Sequence, residues 1–400
     1  MALPLRTLLS RLPSDWGTPS GHIPDQVEIT SIGEDSRRVS QGAIFAAHKG
    51  RGVDGHQYIA AALEAGAAGV VGEVARKEIE ALAHSSVPYW RVENGRLAFA
   101  LLSAAFFNFP ARRMLIVGVT GTDGKTTTST LVHSILTAHG LRTALISTIA
   151  ARIDDQELDT GFHTTTPEAF DLQRYLAEME QAQCQAVVLE TTSHALDQER
   201  VAYIDYDVAV VTNVTHEHLD WHGSWENYMQ AKARLFRMLE ASHRKSDAPK
   251  IAVLNLTDKS YPVLCEIPSD RTVTYALDPN AGATVTARDI ITSRDGTAFR
   301  LVTPAGEFDA RIALLGTYNV ANALAASAAG LLLGASLEEI ARGLAAVQRI
   351  KGRMEFVYRG AFDVVVDFAH TPNALAETIK TSRALVGSDG RVIVVFGSAG

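Results

Sequence analysis

Lys125 stands near the end of a run, Val117 to Thr128, that reads VGVTGTDGKTTT. Glycines let a backbone approach a ligand closely, so the N–H groups from Gly121 to Thr126 can cradle phosphate oxygens. Lys125 can offset charge on the terminal phosphates of a nucleotide, and Thr126 can offer a hydroxyl to Mg2+. The usual phosphate-binding loop has a glycine five residues before Gly124, where this chain has Val119. The context, a buried strand, a tight loop and a helix start, still fits. A purely structural Gly/Thr turn is the competing reading. It leaves unexplained why a lysine and three threonines stand together.

Three other stretches offer chemistry. In VVLETTSHALDQERV, Glu190 ends an apolar strand, where a carboxylate can point into a ligand crevice and hold Mg2+. Ser193, Gln198 and Arg200 follow with groups suited to an anionic substrate, or to surface capping. In THEHLDWHG, His216, Glu217, His218, Asp220 and His222 crowd together. One reading is a hydrolase zinc motif, but Trp221 occupies the position of its last histidine. Another is an oxygen-rich magnesium site. A third has His216 and His222 bonding locally. In SWENYMQAKARLF, Ser224 can cap a helix, and Lys232 lies one turn from Tyr228 and Phe236. It either snorkels to solvent or is buried with a lowered pKa and a free amine.

These residues need elements to hold them. The strands RMLIVGVT, TALIST, QAVVLETTS, DVAVVTNVT and KIAVLNL alternate with helical patterns, which predicts a doubly wound, mostly parallel sheet. Leu131, Val132, Ile135 and Leu136 form one apolar stripe, and Gly140 follows as a C-terminal glycine. From Arg271 to Leu315 short alternating strands predict an antiparallel patch. Before it, about Val27 to Val92 reads as a small α/β unit. After it, FDVVVDFAH, a helix from Pro372 and the strand RVIVVFGSAG open a third, Rossmann-like unit. The expected domains are residues 1–112, 113–348 and 349–400. A strand–helix–strand start cannot bury both faces of its sheet, so the reading is of a fragment of a longer third domain.

Composition narrows the class. The chain has 400 residues, 46% hydrophobic and 20% charged, as a globular multidomain protein does. A formal charge of −8 argues against nucleic acid as a partner. No apolar run is long enough to span a membrane. Cys184 and Cys265 alone imply no disulfide framework, which fits a cytoplasmic location. A monomer is expected.

With these motifs in view, the chain resembles the Mur ligase family. DSRRVSQGAIFAA, GVTGTDGKTTT, TTTPEAFDLQRYL, ETTSHALDQERV, TNVTHEHLDWHGSWENYMQAKARLF, LLGTYNVANALAA, GRMEFV and VVVDFAHTPNAL carry the likeness through nearly the whole chain. The resemblance implies an ATP-dependent amide ligase of peptidoglycan synthesis. It would add a third amino acid, diaminopimelate or lysine, to UDP-N-acetylmuramoyl-L-alanyl-D-glutamate through an acyl phosphate. Gly121, Thr122, Asp123, Gly124, Lys125, Thr126 and Thr127 would hold ATP, with Asn319, Asn322, Arg353 and Asp367. Thr126, Glu190, His218 and Lys232 would serve Mg2+, Lys232 as a carbamate formed with CO2. Ser36, Thr165, Thr166, Ser193, Gln198 and Arg200 would contact the UDP-muramyl-dipeptide. Lys125, Glu190, His218 and Lys232 would be catalytic.

Departures from the family pattern are Glu217 for aspartate, ETTSH for EVSSH, Lys351 for proline and Phe368 for tyrosine. The family segment that selects the amino acid is absent from the 400 residues. Two alternatives stand beside the ligase: an inactive relative that binds ATP or the UDP-dipeptide, and a metallo-hydrolase built on HEHLDWH.

Overall fold

The computed structural model describes residues 2–397, apart from positions 18, 22, 24–25, 51, 150, 154–155, 159–164, 216, 218, 247 and 389, and apart from the side chains of 156–158 and 219. Two compact units are present. The first gathers Met1–Arg112, Pro167–Glu180 and His194–Ile204; the second gathers Arg113–Thr166, Gln181–Ser193 and Asp205–Gly400.

The first unit is built on four parallel strands, β1 (Ser31–Gly33), β2 (Ala43–Ala47), β3 (Gly69–Gly72) and β4 (Tyr89–Arg91), in that spatial order. Every residue of β2 is buried, as a strand covered on both faces must be. Helix α1 (Gly95–Phe106) starts at Asn94, whose side chain accepts the Leu97 N–H at 3.0 Å. Its Phe99, Leu101 and Leu102 join Ile32, Ile44 and Val71 in one core.

The second unit holds an eleven-stranded sheet. Its strands are β5 (Leu115–Thr120), β6 (Thr143–Ile146), β7 (Ala151–Ile153), β8 (Gln156–Leu158), β9 (Ala186–Glu190), β10 (Val208–Val211), β11 (Ile251–Asn255), β12 (Arg271–Ala276), β13 (Val285–Ser293), β14 (Gly296–Thr303) and β15 (Gly306–Ile312). They run in the order β8-β7-β6-β9-β5-β10-β11-β12-β13-β14-β15. From β6 to β13 all pairings are parallel; β7 and β8 at one edge, and β14 and β15 at the other, are antiparallel. The antiparallel patch therefore begins later than its sequence suggests, because β12 pairs parallel with β11 over five residue pairs. The chain leaves β5 toward β6 on one side and reaches β10 on the other. The crevice beyond the C-terminal end of β5 is thus a topological switch point, where ligands of open α/β sheets bind.

Helix α2 (Lys125–Ala138) follows the glycine loop and lays Leu131, Val132, Ile135 and Leu136, all fully buried, on the sheet. Gly140 ends it at φ +94°, a conformation glycine adopts without strain. Helix α3 (Trp225–Ala241) begins at the Ser224 cap, as its sequence predicts. Helices α4 (Thr317–Leu332) and α5 (Leu337–Ala346) cover α2, the second through a reciprocal Ser336–Glu339 capping box.

After α5, β16 (Glu355–Arg359) and β17 (Asp363–Val366) form an antiparallel pair, and α6 (Pro372–Val386) follows the Thr371 cap. The expected parallel strand–helix–strand start is only partly realised. Arg391–Gly397 has no regular structure, and Val395 is 92% exposed. A strand takes form by pairing, and among the described residues nothing pairs with this segment.

Candidate active site

The glycine loop is braced from both sides. Asn213, just past β10, accepts the Thr122 N–H on its carbonyl (2.7 Å) and the Asp123 N–H on its side chain (3.1 Å). Its side-chain amide donates back to the Asp123 carbonyl at 3.1 Å, and the Thr212 hydroxyl does so at 2.6 Å. The glycines are sterically required. A Cβ on Gly121 would lie 1.8 Å from the Thr212 hydroxyl, and one on Gly124 2.3 Å from Asn322 Oδ1. Both sit at positive φ, +146° and +83°.

Above the loop opens a cavity of about 540 Å³. The structure brings to its wall Thr122, Asp123, Gly124, Lys125, Thr126, Thr127, Thr165, Glu190, Asn319, Asn322, Arg353 and Asp367. Gly121, Thr166, Ser193 and Lys232 are in the same unit, buried, but off that wall. Ser36, Gln198 and Arg200 belong to the first unit. His218 lies outside the described residues, as does His216.

Glu190 is the electrostatic centre. Only 1% exposed, it accepts bonds from the Thr126 hydroxyl (3.1 and 3.2 Å), the Thr148 N–H (3.0 Å) and the Thr148 hydroxyl (3.0 Å). Arg353 reaches Thr126 Oγ1 at 3.0 Å from 227 residues away. Asp367 is fixed by the N–H groups of Met354 (2.7 Å) and Ala369 (2.9 Å). Asn319 and Asn322 bond each other at 3.0 Å beneath the loop. Asp123 accepts from Thr371 and Asn373, both at 3.3 Å, which ties HTPNAL to the glycine loop.

Lys232 is 1% exposed, so the inward reading of its helix face holds and the snorkelling one does not. Its amine donates to the Gly121 carbonyl at 2.5 Å and lies 4.3 Å from the Tyr228 ring centre. Burial holds its pKa well below the ordinary lysine value, and the charge of Lys125 pushes the same way. The Tyr228 hydroxyl contacts Thr122 Oγ1 (3.0 Å) and donates to Glu217 (3.2 Å); burial keeps this phenol neutral. Glu217 in turn meets His370 Nε2 at 3.0 Å, and that bond raises the imidazole pKa.

Sequence reasoning missed several wall residues. Thr148, Asn213 and Asn255 each follow or end an apolar strand on the crevice side, the signal that did reveal Glu190. Tyr318 also lines the cavity, and its buried hydroxyl has no partner among the described residues.

The comparisons with known proteins agree along the chain. Residues 119–330 match the Mur ligase middle domain, 28–107 the Mur ligase family catalytic domain, and 352–400 the Mur ligase glutamate ligase domain. This chain belongs to the Mur ligase family. It is 44% identical over 391 residues to a UDP-N-acetylmuramyl-tripeptide synthetase of Roseiflexus sp. (strain RS-1), covering 96% of this chain and 75% of that one. It is 40% identical to a UDP-N-acetylmuramoyl-L-alanyl-D-glutamate–2,6-diaminopimelate ligase of Geobacillus kaustophilus, covering 99% and 78%. A solved ligase of the latter kind superposes with a TM-score of 0.78 at 28% identity, over 97% of this chain and 75% of that one. As a Mur ligase, the chain is an ATP-dependent enzyme of peptidoglycan synthesis that forms amide bonds. Membership sets aside the metallo-hydrolase reading. His222 instead meets Ser193 Oγ at 3.2 Å and packs against Tyr228, the tilted rings 5.3 Å apart.

The residues present fit what the family uses. A buried carboxylate beside the hydroxyls of Thr126 and Thr148 is a hard-oxygen set suited to Mg2+, with phosphate and water completing the shell. Among the described residues no ion pair reaches Glu190, so a cation there would offset a buried charge. Lys232 offers a buried amine of lowered basicity, which carbamylation by CO2 requires.

Proposed function

We propose that this Mur ligase adds the third amino acid, diaminopimelate or lysine, to UDP-N-acetylmuramoyl-L-alanyl-D-glutamate. The convergence of the glycine loop, Glu190, Arg353 and Asp367 on one cavity carries the reading. Residues 1–112 form the domain that docks the uridine end, partly through Ser36. Residues 113–348 hold ATP, and 349–400 belong to a C-terminal ligase domain. Thr165, Thr166, Ser193, Gln198 and Arg200 contact the muramyl-dipeptide. The enzyme works as a cytoplasmic monomer without nucleic acid or membrane as a partner. No helix among the described residues is long and apolar enough to cross a membrane.

ATP and the muramyl-dipeptide are substrates, and both are anionic. The side-chain carboxylate of the D-glutamate attacks the γ-phosphorus of ATP, ADP leaves, and an acyl phosphate results. The amine of the incoming amino acid then adds to the acyl carbon. The tetrahedral intermediate collapses with loss of inorganic phosphate, and the amine gives up its proton to solvent. The protein's task is electrostatic. Lys125 and the N–H groups of the loop face the phosphates, and Arg353 brings a second cation to the Thr126 end of the cavity. Asn319, Asn322 and Asp367 fix the nucleotide's position. Thr126, Glu190, His218 and a carbamate on Lys232 would hold Mg2+, which would supply further charge against the repulsion between carboxylate and triphosphate.

The test is Lys125→Ala, assayed with ATP, UDP-muramyl-dipeptide and either diaminopimelate or lysine. Loss of ATP binding and of phosphate release, by about 10²-fold or more in turnover, is expected. Unchanged nucleotide affinity and turnover would sink the assignment.

A further inference from the structure

The residues just past β10 run between the glycine loop and helix α3, and the sheet no longer holds them. β10 ends at Val211, yet Val214 is only 1% exposed. Its N–H and carbonyl are shut away from water, so each needs a partner in the protein. Two side chains supply them. The N–H donates to both carboxylate oxygens of Asp258, at 3.1 and 3.2 Å, from 44 residues away. The carbonyl accepts the indole N–H of Trp225, the first residue of α3, at 3.1 Å. Asp258 is itself fixed. The Ser260 N–H donates to its Oδ1 at 2.9 Å, and the Ser260 hydroxyl bonds the same oxygen. Among the described residues its Oδ2 serves Val214 alone.

The neighbours of Val214 on both sides touch the glycine loop. Asn213, before it, accepts the Thr122 and Asp123 N–H groups. Thr215, after it, donates its N–H to Thr122 Oγ1 at 3.0 Å. That hydroxyl also meets the Tyr228 hydroxyl at 3.0 Å, on the first turn of α3. A shift of the Val214 peptide would carry Asn213 and Thr215 with it, and through them Thr122 and Asp123. Neither Asp258 nor Trp225 is on the cavity wall. They can act on a nucleotide only through the backbone they hold. A role for Asp258 as a turn cap alone accounts for its Ser260 bonds, but not for the two bonds that reach across to Val214.

We infer that Asp258 and Trp225 are positioning residues for ATP: they clamp the Val214 peptide from its two sides and so fix the glycine loop against helix α3. The inference rests on the reading that the Gly121–Thr127 loop holds ATP. A loop whose N–H groups are already in place when the phosphates arrive spends little binding energy on being ordered. The clamp suits that task. A carboxylate makes a stronger acceptor for a buried N–H than a neutral group does. The indole N–H has no competing acceptor role, so its bond to the carbonyl has one direction only.

The experiment is calorimetric titration of the whole protein with ATP and Mg2+, and separately with UDP-muramyl-dipeptide. Asp258→Ala leaves the buried Val214 N–H without an acceptor and weakens ATP binding by about tenfold or more. Asp258→Asn keeps one acceptor and recovers most of that loss. Trp225→Phe keeps the ring, loses only the N–H, and weakens ATP binding by about threefold or more. The UDP-muramyl-dipeptide affinity of all three stays within about twofold of wild type. A thermal melt confirms that each variant is folded; if Asp258→Ala is not, Trp225→Phe decides alone. Unchanged ATP affinity in the folded variants overturns the inference. So does an equal loss for both ligands, since the two side chains would then hold the fold rather than the loop. An Asp258→Asn variant as poor as alanine overturns it too. Lys125→Ala, titrated alongside, separates the two levels. If it binds ATP as wild type does, the loop reading fails and takes the inference with it. If it alone loses ATP, the loop reading stands and only the clamp is wrong.

Discussion

The two ends of the eleven-stranded sheet each bury a lysine, and they use it differently. At the C-terminal end, Lys232 meets a backbone carbonyl and a tyrosine ring, with no carboxylate at ion-pair distance among the described residues. At the N-terminal end, Lys250 is fully buried against Asp207 at 3.2 Å, and the Tyr206 and His243 carbonyls satisfy its other protons. Lys245 closes on the same carboxylate from the other side. Asp207 precedes β10 and also accepts the Ile116 N–H at 2.9 Å, so it stitches strand starts together. A buried amine paired with a carboxylate has its charge offset in place and serves packing. A buried amine left beside carbonyls and another lysine is destabilised as a cation and becomes available for chemistry.

The largest effect expected from this contrast is at Lys232. Lys232→Ala loses turnover by about 10²- to 10³-fold, and short-chain carboxylates added to the assay restore part of it by filling the vacated space. Lys232→Arg keeps a cation that stays protonated and cannot accept CO2. It is as poor as alanine and is not rescued. A fully active arginine variant would falsify the carbamate role and make the two buried lysines equivalent.

The next effect is at the other end and reads out in stability. Asp207→Ala removes the counter-charge of a fully buried lysine and leaves the Ile116 N–H unpaired, at a cost of about 3–5 kcal/mol. Urea unfolding measures it. The turnover of the folded fraction changes little, because the cavity is at the opposite end of the strands. A stability loss under about 1 kcal/mol would show that Lys250 is content with its carbonyls alone, and the proposed distinction between the lysines would collapse.

What could be read in the sequence follows the same division. The loop from Gly121 to Thr127 and the strand-end Glu190 depend on local spacing, a glycine run and a period of two, and were legible before any fold was known. A period of four put Lys232 one turn from Tyr228 and Phe236 but left it open between snorkelling and burial. Arg353 reaching Thr126, or Thr371 and Asn373 reaching Asp123, depends on long-range packing that no local period records. The Asp207 cluster was invisible for the same reason. Its aspartate and two lysines look like ordinary polar residues between apolar strands. The RVIVVFG segment shows the opposite failure. Its apolar pattern reads as a buried strand, yet that pattern states only what a strand would need, and here Arg391–Gly397 is left unpaired.

The smallest effect sharpens the comparison within the N-terminal end itself. Asp270 also accepts a bond near Lys250, from its N–H at 2.8 Å, but its main partner is the exposed Arg244, at 2.8 and 3.1 Å. Those Arg244 bonds, with the Lys250 N–H behind them, hold its pKa at about 2. An unfolded chain protonates aspartate near pH 3.9, roughly two units higher. The native state therefore binds the proton more weakly than the unfolded state does. The resulting stabilisation is present above about pH 4 and fades as pH falls toward 2. Asp270→Asn keeps an acceptor for the Lys250 N–H and removes only the charge. Its melting temperature should lie slightly below wild type at pH 7 and converge with it near pH 2. Because solvent and salt screen an exposed pair, the difference at pH 7 should be far smaller than for Asp207→Ala and should shrink further in high salt. If the two substitutions cost the same, burial is not what separates these carboxylates.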